Sequence, residues 1–78
     1  MERAVVNSSN LAAVGYSLES AILEVEFRHG GIYQYFGVPL LVYQGLLSAA
    51  SKGAYLNEIV KRGGYRYSRV ADALPAKA

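Results

Sequence analysis

Seventy-eight residues, of which 53% are hydrophobic and seven are tyrosine, suffice for one small domain that packing alone must stabilise. The chain has no cysteine, which excludes disulfides and thiolate metal ligands. No apolar run reaches the roughly 20 residues of a membrane-spanning helix. No signal-type hydrophobic segment follows the first residues, so the expected location is the cytoplasm.

Charge is unevenly distributed around a formal net value of +2. Residues 1–50 contain two basic and four acidic residues, whereas residues 51–78 contain six basic and two acidic ones. A local basic stripe can bind a polyanion while the net charge stays small. The same pattern is also typical of a solvated face that only keeps a domain soluble. Charge alone therefore leaves both interpretations open.

The first half of the chain predicts an antiparallel meander of three strands. Residues 1–8 are expected to form a flexible N-terminus. The first strand covers residues 11–16, and after a turn the second covers residues 21–28. A Gly-rich hairpin at residues 29–31 leads into the third strand, residues 32–36.

Strict alternation in the second strand predicts a sheet with one buried and one solvated face. The apolar side chains occupy the core side, and they are Leu23, Val25 and Phe27. The charged side chains are expected to face solvent, and they are Glu24, Glu26 and Arg28.

Two registers are open for the third strand, because one residue more or less in the hairpin loop exchanges its two faces. A three-residue loop pairs Leu23 with Tyr35 and places both Tyr33 and Tyr35 in the core. A two-residue loop places the tyrosines among the charged side chains and Gln34 in the core. The polar Gln34 favours the first register and Ile32 favours the second; we adopt the first.

Helical spacing of the apolar residues begins after the Val38-Pro39 corner, where proline suits the first turn of a helix. Two helices are predicted, over residues 39–50 and 52–61, with Ser51 as the N-cap of the second and glycines at 63–64 to end it. The apolar stripe of the first helix consists of Leu40, Tyr43, Leu46, Leu47 and Ala50, and that of the second of Tyr55, Leu56, Ile59 and Val60.

A final strand with strict alternation covers residues 65–70 and precedes a flexible tail, residues 71–78. The predicted fold class is therefore α+β, with a three-stranded antiparallel meander, two short helices and a final strand that returns to the sheet. Residues 9–70 form the single domain of this arrangement.

No catalytic or metal-binding constellation is evident. His29 is the only histidine, and it lies in the hairpin without a nucleophile nearby in sequence, so we interpret it as a turn residue. Glu24 and Glu26 are paired carboxylates, but general acid–base catalysis needs one of them desolvated. We therefore expect a protein that is not an enzyme and that binds neither a metal nor a cofactor.

The C-terminal segment combines basic with aromatic residues. Arginine and lysine can neutralise phosphates, while tyrosine rings can stack on unpaired bases. A helix start at Ser51-Lys52-Gly53 adds a candidate anion site, although it is equally typical of an ordinary N-cap. The predicted RNA-binding residues are Lys52, Lys61, Arg62, Tyr65, Arg66, Tyr67 and Arg69.

Three spaced motifs resemble the KTSC domain, which is named for its occurrence at the C-terminus of some lysyl-tRNA synthetases and also exists as small bacterial proteins. The motifs are Gly30-x-x-Tyr33-x-Tyr35-x-x-Val38-Pro39, Ser51-x-Gly53-x-Tyr55-Leu56-Asn57 and Tyr65-x-Tyr67. The resemblance brings no catalytic residues with it, and its synthetase connection suggests RNA binding. This chain departs from the family at Leu40 and Leu41, where acidic or polar residues are expected.

Two functions follow from these observations. The first is a small non-catalytic module that binds RNA through the basic and aromatic C-terminal segment. The second is a module that binds a protein partner through apolar residues near the first helix, among them Leu40 and Leu41. No membrane partner is expected, and the oligomeric state stays open.

Overall fold

The computed structural model describes residues 3–71. Five strands form one antiparallel sheet in chain order, and helical segments connect the fourth strand with the fifth. The elements are β1 (Ala4–Val5), β2 (Leu11–Ser17), β3 (Ile22–Phe27), β4 (Ile32–Phe36), α1 (Leu40–Ser48), α2 (Lys52–Tyr55), a π-helical segment (Leu56–Lys61) and β5 (Arg66–Ala71). The α+β class and the returning last strand are confirmed. The expectations for residues 1–2 and 72–78 lie outside the described residues.

The sheet contains one strand more than predicted. β1 pairs antiparallel with β2, with Ala4 opposite Val14, and it lies within residues 1–8, where no strand was expected. Two residues are too few to show the alternation by which a strand is recognised. β1 therefore had no detectable pattern in the sequence, and its place in the sheet depends on pairing with β2.

The hairpin between β3 and β4 has the three-residue loop, so the adopted register is confirmed. Leu23 lies opposite Tyr35 and Val25 lies opposite Tyr33. The backbone N–H of Phe27 donates to the carbonyl of Gly31 at 3.1 Å. Gly30 and Gly31 have φ angles of 103° and 102°, a region in which side chains with a Cβ are strained, so the turn requires glycine there.

The outer face of the sheet, which points away from the helices, is less solvated than expected. Glu24 is only 6% exposed on this face, because Arg3 forms an ion pair with it. The side-chain amide of Gln34, directly across the ladder, donates to Glu24 Oε1 at 2.8 Å. A buried carboxylate needs such partners, and alternation alone could not reveal them.

The inner face of the sheet and the helices enclose a single apolar core. Its buried members are Val6, Leu11, Val14, Leu23, Val25, Phe27, Tyr35, Val38, Leu46, Leu56 and Val60. β2, β3, β4, α1 and the π-helical segment all contribute to this cluster, and the connecting segments add Val6 and Val38.

The corner between sheet and helices is fixed by both polar backbone groups of Val38. Its N–H donates to the carbonyl of Ala21 at 2.9 Å, and its carbonyl accepts from the Tyr16 hydroxyl at 2.5 Å. Pro39 is the N-cap residue of α1, with an extended ψ of 150°, and not a residue of its first turn as predicted. The helix starts one residue later because the Pro39 carbonyl accepts from Val42 N–H.

α1 packs through a narrower stripe than predicted. Leu46 is fully buried, and Val42, four residues earlier on the same side of the helix, is partly buried against the core. Leu40 and Leu47 are 38% and 40% exposed, because they flank this side of a helix of only nine residues. Ala50 lies beyond the end of α1 and is exposed.

The second helical region begins as predicted and then changes type. Ser51 Oγ accepts from Ala54 N–H at 3.4 Å, which confirms Ser51 as the N-cap of α2. After Tyr55 the turns widen to π geometry, in which residue i pairs with residue i+5; Arg62 N–H donates to the Asn57 carbonyl in this way. Gly64, with a φ of 78°, then reverses the chain into β5.

The predicted apolar stripe of this region holds in part. Leu56 and Val60 are buried and Tyr55 packs against the core, but Ile59 is 41% exposed. The wider π turn changes which residues share one face of the helix. An apolar stripe assigned with α-helical spacing therefore includes Ile59, which does not face the core. None of the helices between residues 3 and 71 is long and apolar enough to cross a membrane.

Candidate functional site

A cleft of about 400 Å³ opens between the inner face of β3–β5 and the end of the π-helical segment. We call it the aromatic cleft. Its lining consists of Phe27, His29, Tyr33, Tyr35, Lys61, Tyr65 and Tyr67. Five of these seven side chains are phenylalanine or tyrosine, so the cleft presents several ring faces and edges to a ligand.

The register of the sheet assembles these rings. Tyr35 lies opposite Tyr67 on β5, and Tyr33 lies opposite Arg69. The ring centroids of Tyr35 and Tyr67 are 5.6 Å apart, and those of Tyr33 and Tyr67 are 6.1 Å apart. Both distances are typical of favourable aromatic pairs. Tyr67 is nevertheless 64% exposed, which leaves most of its ring accessible at the mouth of the cleft.

A cationic rim lies where β3 ends. The imidazole of His29 stacks on Phe27, with ring centroids 5.3 Å apart and planes 15° apart. Lys61 Nζ lies 5.5 Å from the centroid of the same Phe27 ring, which is the geometry of a cation–π contact. Phe27 thus belongs to the core and also positions two polar groups beside the cleft.

Tyr35 supplies a neutral hydroxyl to the cleft. Three causes together raise the pKa of Tyr35 to about 12, of which burial is the largest, followed by the neighbouring Tyr67 and then Tyr33. The side chain therefore stays protonated throughout the physiological pH range. It can both donate and accept a hydrogen bond, whereas a charged phenolate could only accept.

A second, smaller depression of about 190 Å³ adjoins the aromatic cleft. We call it the amide cleft. It is lined by Asn10, Leu11, Phe27, His29, Gly53, Leu56, Asn57 and Lys61. Three of these residues, Phe27, His29 and Lys61, line both depressions, so the two lie side by side at the end of the π-helical segment, and we refer to them together as the groove.

Gly53 leaves the space in which the Asn10 side chain lies. A Cβ atom on Gly53 would lie 2.6 Å from Nδ2 of Asn10, which is closer than real Cβ contacts. Asn10 itself is held by its backbone, since its N–H donates to Ser8 Oγ at 3.2 Å and its carbonyl accepts from Arg28 N–H at 2.9 Å. The Asn10 side chain therefore lies directly over the start of α2.

The structure brings three of the predicted RNA-binding residues together, because Lys61, Tyr65 and Tyr67 line the aromatic cleft. Arg69 lies beside them, opposite Tyr33 on the inner face. Arg66 pairs with Phe36 and lies on the outer face, away from these residues.

Two further predicted residues lie apart from this group. Arg62 is exposed and forms an ion pair with Glu58, one helical turn earlier, at 2.9 Å. Lys52 Nζ donates to the Ala49 carbonyl at 3.1 Å and borders a separate depression formed with residues 7–9 and 50–51. Neither of these two residues lines the aromatic cleft or the amide cleft.

The motif residues of the family divide into two groups. Tyr33, Tyr35, Gly53 and Asn57 line the aromatic or the amide cleft. The others shape the fold, since Val38 is buried at the corner, Pro39 is the N-cap of α1 and Ser51 is the N-cap of α2.

Sequence reasoning missed three residues of the groove. His29 was interpreted only as a turn residue, Phe27 only as core, and Asn10 as part of a polar segment. The signal for His29 was its position two residues after Phe27, where the end of a strand places both side chains on one side. Nothing in the sequence indicated that a π-helical segment would cover this strand end.

Comparisons with known proteins agree with these motifs. The family model described as the KTSC domain matches residues 7–67. An uncharacterized protein from Stutzerimonas stutzeri is 46% identical over 70 residues, which cover 90% of this chain and 99% of that protein. A lysine–tRNA ligase from Nostoc sp. is 38% identical over 63 residues, which cover 81% of this chain but only 11% of the ligase.

A solved structure gives the same result for the fold. The crystal structure of a KTSC domain protein from Yersinia pestis superimposes with a TM-score of 0.85 at 36% sequence identity, over 90% of this chain and 97% of that one. The chain therefore belongs to the KTSC domain family.

Proposed function

We propose that this chain is a small, non-catalytic module that binds single-stranded RNA, with an unpaired base held among the rings of the aromatic cleft. The observation that carries the proposal is the cleft itself, in which five aromatic side chains meet His29 and Lys61. Sequence-tolerant binding of single strands commonly combines such stacking faces with cations that contact the backbone.

The charge around the cleft supports an anionic ligand. Lys61 lies on its rim and Arg69 lies opposite Tyr33 on the same face of the sheet. The carboxylates of the neighbouring strand, Glu24 and Glu26, lie on the outer face, where both contact Arg3. The inner face thus offers cations to a phosphate without an acidic side chain among the cleft residues.

The ligase relative supports RNA over other polyanions. A lysine–tRNA ligase acts on tRNA, and a segment of that enzyme is 38% identical to this chain. A segment of that size can serve as an appended module that adds affinity for the nucleic acid while the rest of the enzyme performs the chemistry. The same role is available to a free-standing copy that meets its RNA in solution.

Fluorescence anisotropy with a labelled single-stranded octaribonucleotide tests the proposal. We expect measurable binding at 20 mM salt that weakens steeply as salt rises, because phosphate contacts release counterions. Tyr67→Ala removes the most exposed ring of the cleft and should weaken binding by about 1–3 kcal/mol without unfolding the domain. Absence of binding by the unsubstituted protein at low salt would refute the proposal.

A second candidate, a protein partner bound through α1, rests on a separate observation. Leu41 is 77% exposed, its neighbour Leu40 is 38% exposed, and Leu47, seven residues after Leu40, is 40% exposed. Such a surface favours apolar contact with another chain. Leu41→Glu should then abolish complex formation in a pull-down while leaving RNA anisotropy unchanged, which separates the two candidates.

A further inference from the structure

We propose that the amide cleft holds the nucleotide adjacent to the one in the aromatic cleft, so that the groove recognises two consecutive nucleotides with their shared phosphate at Lys61. This inference rests on the proposed function and specifies the ligand of that site. It assigns the aromatic cleft to stacking and the amide cleft to hydrogen bonding with a polar base edge.

The adjacency of the two clefts supports a two-nucleotide ligand. Phe27, His29 and Lys61 line both, so a ligand in one cleft lies next to the other. Lys61 lies at this junction, which is where the phosphate that links two nucleosides would lie. An ammonium group neutralises a phosphate in any orientation, because it is a compact point charge with three donors.

The polar groups of the amide cleft match a base edge. The side chains of Asn10 and Asn57 each carry a carbonyl acceptor and an amide donor, which is the pairing that base edges present. Within residues 3–71, no hydrogen bond occupies either side-chain amide; the bonds of both residues are made by their backbones. Their hydrogen-bonding capacity is therefore available to a ligand.

The backbone around the cleft orients both amides. Asn10 lies over Gly53, whose missing Cβ leaves the space that Nδ2 occupies. Asn57 and Lys61 are four residues apart in the π-helical segment, a spacing that places two side chains on the same side of a helix. Both line the amide cleft, so cation and amide face the same ligand.

Alanine substitution of the two amides tests the inference. Asn10→Ala and Asn57→Ala should each weaken binding of the labelled octaribonucleotide about threefold to tenfold, the loss expected for one hydrogen bond. Both residues are exposed, so circular dichroism and thermal unfolding should change little. Gln44→Ala is the matched control, because Gln44 is an exposed amide on α1 outside both clefts and its loss should leave the affinity unchanged.

Two small ligands distinguish binding in the aromatic cleft from binding in the amide cleft when ¹⁵N-edited NMR spectra are recorded. Uridine 5′-monophosphate should shift the backbone signals of Tyr33, Tyr67 and Lys61, whereas the dinucleotide UpU should also shift those of Asn10, Gly53 and Asn57. Gly53→Ala provides a third readout, because its methyl group displaces only the end of a flexible side chain. That variant should fold as well as the unsubstituted protein but lose the additional UpU shifts.

The outcomes distinguish this inference from the function on which it rests. If Tyr67→Ala weakens RNA binding but both asparagine variants bind like the unsubstituted protein, the module binds RNA and the two-nucleotide assignment is wrong. Identical shifts with the monophosphate and the dinucleotide would also overturn the assignment. If the unsubstituted protein binds no RNA at low salt, the proposed function and this inference fail together.

Discussion

Tyr35 has two roles that depend on its position opposite Leu23 and Tyr67. Its ring is 98% removed from solvent and belongs to the core, while its hydroxyl borders the aromatic cleft. Truncation to alanine should therefore cost about 3 kcal/mol or more of stability, because it removes a buried ring as well as a cleft wall. The milder Tyr35→Phe variant separates the two roles, since it keeps the ring and removes only the hydroxyl.

The raised pKa of Tyr35 makes a prediction about alkaline stability. Its pKa is about 12 in the folded protein and near 10 in an unfolded chain. The folded state then holds the proton more tightly, so stability is fully present below pH 10 and is lost as pH rises from 10 to 12. The loss should approach about 3 kcal/mol at the upper end of this range.

Urea unfolding at pH 8, 10 and 11 checks this prediction. The unsubstituted protein should lose more stability between pH 10 and 11 than Tyr35→Phe, which has no hydroxyl to ionise at that position. The two proteins differ only in this hydroxyl, so the difference between their unfolding curves isolates Tyr35. Parallel curves for the two proteins would show that burial does not hold the proton on Tyr35.

The packing of α1 on α2 depends on a glycine in the middle of α1. A Cβ on Gly45 would lie 2.2 Å from the hydroxyl oxygen of Tyr55, which donates to the Val42 carbonyl at 3.0 Å. Gly45→Ala should therefore destabilise the domain by about 1–3 kcal/mol, although alanine favours a helix over glycine by about 1 kcal/mol. Gln44→Ala, next to it but exposed, should be neutral or slightly stabilising in thermal unfolding. A more stable Gly45→Ala variant would mean that Tyr55 can move aside at little cost.

The edge strand β1 is connected to β3 by charge as well as by the sheet. Arg3 contacts both Glu24 and Glu26, and Glu24 is 6% exposed. Arg3→Ala should cost about 1–2 kcal/mol in urea unfolding, because it leaves a buried carboxylate with Gln34 as its remaining partner. Adding Glu24→Gln to Arg3→Ala should recover part of this loss. An additive double variant would show that the ion pair contributes nothing.

The elements whose apolar residues recur with a clear period were predicted well from the sequence. The elements whose position or type depends on tertiary contacts were not. Alternation located β3 and β5, and Gln34 selected the correct register of β4 because a lone amide does not belong in an apolar core. β1 has two residues, and its position depends on pairing with β2. The π-helical segment shares its sequence preferences with an α-helix, so the spacing of its apolar residues suggested the wrong face for Ile59.

At the scale of the whole molecule, the sheet separates two chemically different surfaces. The inner face carries the aromatic cleft with Lys61 and Arg69, and the outer face carries Arg66 together with the Arg3 and Glu24 pair. The two arginines of β5 are both exposed, are three residues apart and lie on opposite faces of the sheet. They therefore provide a matched pair for testing which surface meets RNA.

We expect Arg69→Gln to weaken RNA binding. It should also reduce the slope of log affinity against log salt concentration by about one, as expected when one phosphate contact is lost. Arg66→Gln should have little effect on either quantity, because its side chain points away from the cleft. Both variants should unfold at nearly the same temperature as the unsubstituted protein. Anisotropy titrations at three salt concentrations provide the measurement, and equal losses for both arginines would indicate nonspecific electrostatic binding.

The candidate site could be predicted from sequence only where it is continuous in the chain. Lys61, Tyr65 and Tyr67 lie within seven residues, and their composition marked them as a binding segment. Asn10 and His29 come from loops in the first half of the chain. They line the groove only because the paired strands bring these loops next to the helical region. Their role depends on contacts between elements distant in sequence, which no local pattern encodes.

The order of the strands also determines how this domain can be joined to other polypeptides. β1 and β5 form opposite edges of the sheet, four strand spacings or about 19 Å apart. The aromatic cleft lies toward β5. A fusion partner attached ahead of β1 would therefore lie at the opposite edge of the sheet and would leave the cleft accessible. A carrier protein or solid support joined on that side should preserve ligand capture, whereas one joined directly after β5 would crowd the rings of Tyr33 and Tyr67.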